Sequence, residues 1–125
     1  MGFLKTLTVL LALLFAGAAS AEVRLMMVET ESCPWCAKWH EEIGPIYPKT
    51  EEGRIAPLLP QEIYDPFPED ITLKSKPQFT PTFILLLDGV EVARIEGYPG
   101  EDFFWGMLAR LISQLPEEAR QISGS

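Results

Sequence analysis

Two cysteines carry the only thiols and one histidine the only imidazole in this 125-residue chain. A structural zinc site takes about four ligands, and no carboxylates cluster to complete one, so no metal is expected. Cations are scarce as well, with ten Lys and Arg against eighteen Asp and Glu. They stand singly along the chain, whereas polyphosphate backbones are held by clustered Lys and Arg. Nucleic acid is therefore not an expected partner, and the acidity speaks mainly for solubility. The apolar run from Leu7 to Ala19 falls short of the ~20 residues a membrane-spanning helix needs, and no other stretch comes near that length. Cys33 and Cys36 are the only cysteines, so none stands at a cleavage point to carry a lipid anchor. Repeats and low-complexity tracts are absent, and the length suits one domain.

What is present begins with an export signal. Lys5 supplies a positive start, Leu7–Ala16 an apolar middle, and Ala19-Ser20-Ala21 a small-residue cleavage site. Cleavage after Ala21 would leave 104 residues, with Lys5 gone and a net charge of −9. The expected organisation is a signal peptide over 1–21, one folded domain over 22–116 and a flexible tail over 117–125. The expected location is an oxidising compartment, the bacterial periplasm. The oligomeric state is open, with a monomer the simplest expectation.

Val23–Val28 is a short apolar run that predicts a buried strand. Behind it, Cys36, Trp39, His40 and Ile43 recur at helical spacing. Pro34 suits the first helical position, where its missing N–H costs nothing, and Gly44-Pro45 suits the end. Eight of the eleven prolines fall between Pro45 and Pro81, so long regular elements are excluded there. Leu58–Asp65 is the strand candidate within that stretch, at an edge because of Pro60. Thr82–Leu87 and Val90–Glu96 form a hairpin about Asp88-Gly89, which suits a type I′ turn. A helix over Glu101–Leu115 follows, with Phe104, Met107, Leu108, Leu111, Ile112 and Leu115 on one face. Because a crossover between parallel strands is right-handed, the expected fold is α/β: a four-stranded mixed sheet in β-α-β-β-β-α order, with a shortened middle helix region, flanked by helices.

Cys33 and Cys36 carry the chemistry. Two thiols at i and i+3 across a strand-to-helix junction can close a disulfide. The first lies at the helix N-terminus, where unpaired N–H groups and the dipole favour a thiolate. Cys33 is then the nucleophile, and Cys36, one turn in, resolves the mixed disulfide. A purely structural bridge is the weaker reading, because so small a loop removes little chain entropy. No cofactor is expected beyond a redox-active Cys33–Cys36 disulfide.

From Val23 to Leu115 the chain resembles the thioredoxin superfamily. The resemblance is strongest from Thr80-Pro81-Thr82 through Asp88-Gly89 to Gly97. It implies a cis Pro81 and a loop facing the Cys-x-x-Cys pair, where Thr80 pairs main-chain groups with an incoming peptide, Thr80 and Pro81 line the site, and Gly97 borders it. Pro34 and Trp35, between the cysteines, complete the substrate-binding set, with Trp35 exposed for a partner contact. Gly97–Trp105, Tyr47-Pro48 and Glu52-Gly53-Arg54 are similar to the periplasmic thioredoxins of bacterial sulfur-oxidation (Sox) systems. That narrower resemblance implies a thiol–disulfide oxidoreductase that reduces a cysteine of the carrier complex SoxYZ. Its electrons would come from a membrane thiol transporter of the CcdA/DsbD kind.

The sequence departs from the family in two places. Thioredoxins commonly bury an Asp six residues ahead of the first cysteine, and here that position is Met27. The dipeptide between the cysteines is Pro34-Trp35 rather than Gly-Pro, which leaves a periplasmic oxidase or isomerase of the Dsb type as an alternative. A non-catalytic binding module on the same fold is another. Glu29, Glu31 and His40 read as solvated residues, Trp39 as core, and Tyr98 and Trp105 as packing.

Overall fold

The computed structural model describes residues 21–121; residues 1–20 of the expected signal and 122–125 of the expected tail lie outside them. Four strands form one sheet: β1 (Val23–Glu29), β2 (Leu58–Glu62), β3 (Thr82–Leu87) and β4 (Val90–Glu96). Three α-helices accompany them: α1 (Pro34–Glu42), α2 (Glu51–Ile55) and α3 (Glu101–Ile112). The strand order is β2-β1-β3-β4, with β1–β2 parallel and the other two pairs antiparallel. This is the expected mixed sheet, and β2 with its Pro60 is at an edge as expected.

Alternation along the strands sorts side chains to two faces. Leu25, Met27, Phe83, Leu85 and Ile95 join Trp39, Ile43, Phe104 and Leu108 in the larger core between sheet and helices. Its aromatic rings pack closely: Phe83 and Phe104 meet edge to face with centroids 5.0 Å apart, and Trp39 and Phe83 are tilted with centroids 5.4 Å apart. Met26, Val28, Ile84 and Leu86 face the other way, beneath Leu59, Ile63, Phe67, Ile71 and Leu73. Their cover is the proline-rich connection between β2 and β3, not a helix.

That connection is held by polar contacts. Thr72 pairs with the edge of β4: its N–H donates to the Gly89 carbonyl (2.8 Å), and the Thr72 carbonyl accepts the Glu91 N–H (2.9 Å). Glu91 is buried and accepts from Arg94 Nη2 (2.6 Å), Arg94 Nε (2.8 Å) and the Lys74 N–H (3.0 Å). Arg94 Nη2 also donates to the Ser75 carbonyl (2.7 Å). Burial alone would push the Glu91 carboxyl up, but these donors and charges outweigh it and lower it below its usual value. At the hairpin, Asp88 and Gly89 both have positive φ, 51° and 79°, as a type I′ turn requires. The Asp88 carboxylate accepts from the Glu22 N–H (2.8 Å), and the Asp88 N–H donates to the Glu22 carbonyl (2.7 Å).

Several expectations need correction. α3 ends at Ile112 rather than Leu115, although Leu115 is still buried, and Met107 is 37% exposed instead of lying on the packed face. The stretch after Pro45 holds only short helix, a 3-10 turn at Tyr47–Lys49 and the five-residue α2, as the expected shortened middle helix region has it. Thr50 caps α2 by accepting the Gly53 N–H (3.0 Å), while the Tyr47 hydroxyl donates to the Ala56 carbonyl (2.6 Å). Gly53 is required there, because a Cβ would collide with the Tyr47 carbonyl. The described part of the tail is also ordered: Glu117–Arg120 form a 3-10 turn, and Ala119 is buried in the larger core.

Candidate functional site

All the expected site residues gather at one end of the sheet. β1 and β2 both finish there, Glu29 opposite Glu62, while β3 begins with Thr82 opposite Val28 and β4 ends with Glu96 opposite Thr82. The cysteine loop, the Thr80-Pro81 loop and Gly97 therefore leave the sheet together.

Cys33 is the N-cap of α1, with extended backbone (φ −91°, ψ 107°), and Pro34 opens the helix. The Cys33 and Cys36 sulfurs are bonded, with Cα atoms 5.2 Å apart. Cys33 Sγ also accepts the Cys36 N–H at 3.1 Å, so it fills the place of an N-cap oxygen. Amide and dipole aimed at a sulfur favour its anionic form once the bond is reduced. Cys33 keeps 7% of its surface and Cys36 2%, so the leading residue is the more accessible. Trp35 is 55% exposed beside them, with Lys38 Nζ 5.4 Å from its ring centroid.

The Thr80–Pro81 peptide is cis, as the resemblance implied. Pro81 is buried and Thr80 half-buried. The Pro81 carbonyl accepts the Gly97 N–H (2.7 Å), which ties the start of β3 to the residue after β4. Gly97 has φ +88° and open space where a Cβ would stand, so backbone conformation, not crowding, favours glycine there.

Sequence reasoning missed two features. Glu29 is not a solvated loop residue: it ends β1, its side chain is 23% exposed, and Oε1 pairs with His40 Nε2 at 2.8 Å. Strand register against Glu62 puts it there, and no local pattern shows that. The second is a set of exposed aromatic side chains, Tyr64, Phe79 and Phe103, at the same end as Trp35. Met27 is fully buried, as its strand position requires. Tyr98 is buried, and Trp105 stacks on Tyr47 with ring centroids 6.2 Å apart, so both serve packing. Burial, then the hydrogen bond to Glu42 (3.2 Å), pushes the Tyr98 hydroxyl up to about 12. Among the described residues no group of His, Cys, Asp and Glu is arranged to hold a metal ion.

A mixed four-stranded sheet with a Cys-x-x-Cys disulfide opening its first helix defines a thiol–disulfide oxidoreductase of the thioredoxin fold. No protein-family model and no curated protein matches the chain. Among solved structures it is similar to the periplasmic thioredoxin SoxS from Paracoccus pantotrophus in its reduced form. Sequence identity is 54% and the TM-score 0.73, covering 74% of this chain and 98% of that one. The chain belongs to the family of SoxS-type periplasmic thioredoxins.

Proposed function

We propose that the chain is an exported reductase of a disulfide on a protein partner, with Cys33 as nucleophile and Cys36 as resolving thiol. The observation that carries this reading is the helix-opening sulfur that accepts the Cys36 N–H while keeping the more open position. In the reduced chain, the Cys33 thiolate attacks one sulfur of the partner's disulfide. A bond forms between Cys33 Sγ and that sulfur, the partner's own S–S bond breaks, and the departing thiolate takes up a proton. Cys36 then loses its proton and attacks Cys33 Sγ, which closes the Cys33–Cys36 bond and releases the partner's second thiol. Two electrons pass to the partner. With Met27 where a carboxylate commonly stands, the Cys36 proton leaves to water or to another group.

Pro34, Trp35, Thr80, Pro81 and Gly97 receive the partner. The resemblance supplies the rest of the reading: SoxYZ as acceptor, a CcdA/DsbD-type transporter as electron donor, and delivery to the periplasm by a signal over 1–21. The test is a Cys36→Ser variant expressed in the periplasm. It should accumulate a mixed disulfide between Cys33 and SoxYZ, which Cys33→Ser abolishes. Absence of any trapped partner, with insulin reduction unaffected by Cys33→Ser, would remove the mechanism. Pro34-Trp35 also occurs in a form shared with oxidising members of the fold, so the potential decides the direction. A value near ~−270 mV supports the reductase, and one near ~−120 mV an oxidase.

A further inference from the structure

The Cys36 thiol must lose a proton before it can resolve a mixed disulfide, yet Cys36 keeps only 2% of its surface, and Met27 offers no base. Alternation along β1 sends Met27 to the helical face and Val28 to the other. Glu29 therefore shares the face of Met27, roughly 7 Å further toward the disulfide end. Its bond to His40 on α1 agrees with that placement. A carboxylate thus stands on the strand face where the family's Asp is replaced by Met27, moved along by two positions. It is also held in place: Oε1 lies 2.8 Å from His40 Nε2, with the two side chains 23% and 44% exposed.

His40 stands four residues after Cys36 on α1. Side chains at i and i+4 share a helix face, about 5–6 Å apart at Cβ. They lean toward the helix N-terminus, which carries the His40 ring toward the turn of Cys36. The Trp39 ring meets it edge-on, with centroids 5.2 Å apart, and restricts its rotation. A carboxylate facing Nε2 keeps the ring proton on that nitrogen and leaves the Nδ1 lone pair to accept another. Among the described residues the ring's hydrogen bond is the one at Nε2. The charged groups facing the pair are Glu31, in the loop after β1, and Glu62, at the end of β2, which line the same open hollow. On α1, Lys38 turns to Trp35, Glu42 turns to Tyr98, and Glu41 is exposed. Negative charge around the ring favours a second proton on it.

We propose that His40, oriented by Glu29, takes the Cys36 proton through one bridging water. This rests on the reductase reading above and names the group that reading leaves open. The Cys36 S–H gives its proton to the water, which passes one to His40 Nδ1, while the sulfur electron pair forms the bond to Cys33 Sγ. The bond between Cys33 and the partner breaks, and the partner sulfur leaves as a thiolate that solvent protonates. The Glu29 carboxylate holds the resulting imidazolium, as a third group orients a base elsewhere. When the electron donor reopens the disulfide, the proton returns to Cys36 by the same route. Glu29 is a positioning residue, because it acts on the ring and not on sulfur.

The test mixes the reduced full chain with the neutral disulfide of 2-mercaptoethanol, quenches samples in acid and follows the mixed disulfide on Cys33 by mass. Its formation reports attack by Cys33, and its decay reports resolution by Cys36. At neutral pH, His40→Gln should slow decay about 100-fold and Glu29→Gln about tenfold, while formation keeps its rate. Both handicaps should fade as pH rises past the ordinary thiol range, where hydroxide takes the proton unaided. Glu31→Gln with Glu62→Gln, which removes charge from the same hollow and spares the pair, should leave decay unchanged. Urea midpoints check that each variant is folded, and His40→Asn and Glu29→Asn stand in for any that is not. Decay at the wild-type rate in the His40 and Glu29 variants, with the mixed disulfide still forming on Cys33, overturns the proton route and leaves the reductase reading intact. So does equal slowing of formation and decay, a handicap that persists in alkali, or equal slowing by the Glu31 and Glu62 changes. A wild-type chain that forms no mixed disulfide on Cys33, or whose mixed disulfide decays as fast after Cys36→Ser, overturns the reductase reading and the proton route with it.

Discussion

Leu25, Met27, Phe83 and Leu85 lie beneath helices, whereas Met26, Val28, Ile84 and Leu86, their neighbours along the same two strands, lie beneath a proline-rich connection. The helical side buries Trp39, Tyr47, Phe83 and Phe104 and keeps its backbone groups satisfied within α1 and α3. The other side cannot rely on helix hydrogen bonds, because Pro66, Pro68 and Pro77 withhold donors. It ties its cover down with Thr72 on the β4 edge and with the Glu91–Arg94 pair reaching Lys74 and Ser75. One strand pattern thus supports two kinds of cover, a packed one and a fastened one. The disulfide sits at the end of the packed side, on α1.

If this contrast holds, the packed side should suffer most from lost volume. Phe83→Ala, which removes a ring touching both Trp39 and Phe104, should cost about 3–5 kcal/mol in urea unfolding. A loss no larger than that from a surface substitution would break the comparison.

The fastened side should respond to charge. Glu91→Gln removes a buried carboxylate from two Arg94 donors and should cost about 2 kcal/mol at neutral pH. The folded-state carboxyl is held below its ordinary value. Its stabilising contribution is therefore complete above the unfolded carboxylate range and disappears as pH falls through the folded value. The stability gap between wild type and Glu91→Gln should then close in acid, as urea midpoints measured from pH 7 downward would show. A gap that widens on acidification would contradict the assignment.

The smallest effect belongs to the cover's own side chains. Phe67 is only half-buried, and Phe67→Ala should cost about 1 kcal/mol. Amide exchange in residues 63–77 should speed up in that variant more than exchange in α1.

The elements that could be read from the sequence are those whose signals are local. Pro34 behind Cys33 announces a helix start, Asp88-Gly89 between two apolar runs announces a hairpin, and the spacing of Phe104, Leu108 and Leu111 announces α3. The cis Thr80–Pro81 bond was legible only through resemblance, since proline by itself favours trans. What escaped depends on distant contacts. α2 has five residues, too few for a periodic signal, and exists because Gly53 lets it lie on the Tyr47–Pro48 backbone. Ala119 looks like tail until its small side chain is seen closing the core. The Glu29–His40 pair joins the end of β1 to α1, which no local pattern announces.

The bond from the Glu22 N–H to the Asp88 carboxylate changes character with the covalent state of the chain. A leader cut away after Ala21 would leave that nitrogen as a free ammonium group, and a dipolar contact would become an attraction between opposite charges. Maturation would then fasten the new chain end to the hairpin instead of loosening it, and the finished protein would differ from its precursor at the margin of β1 by one positive charge and a clasp.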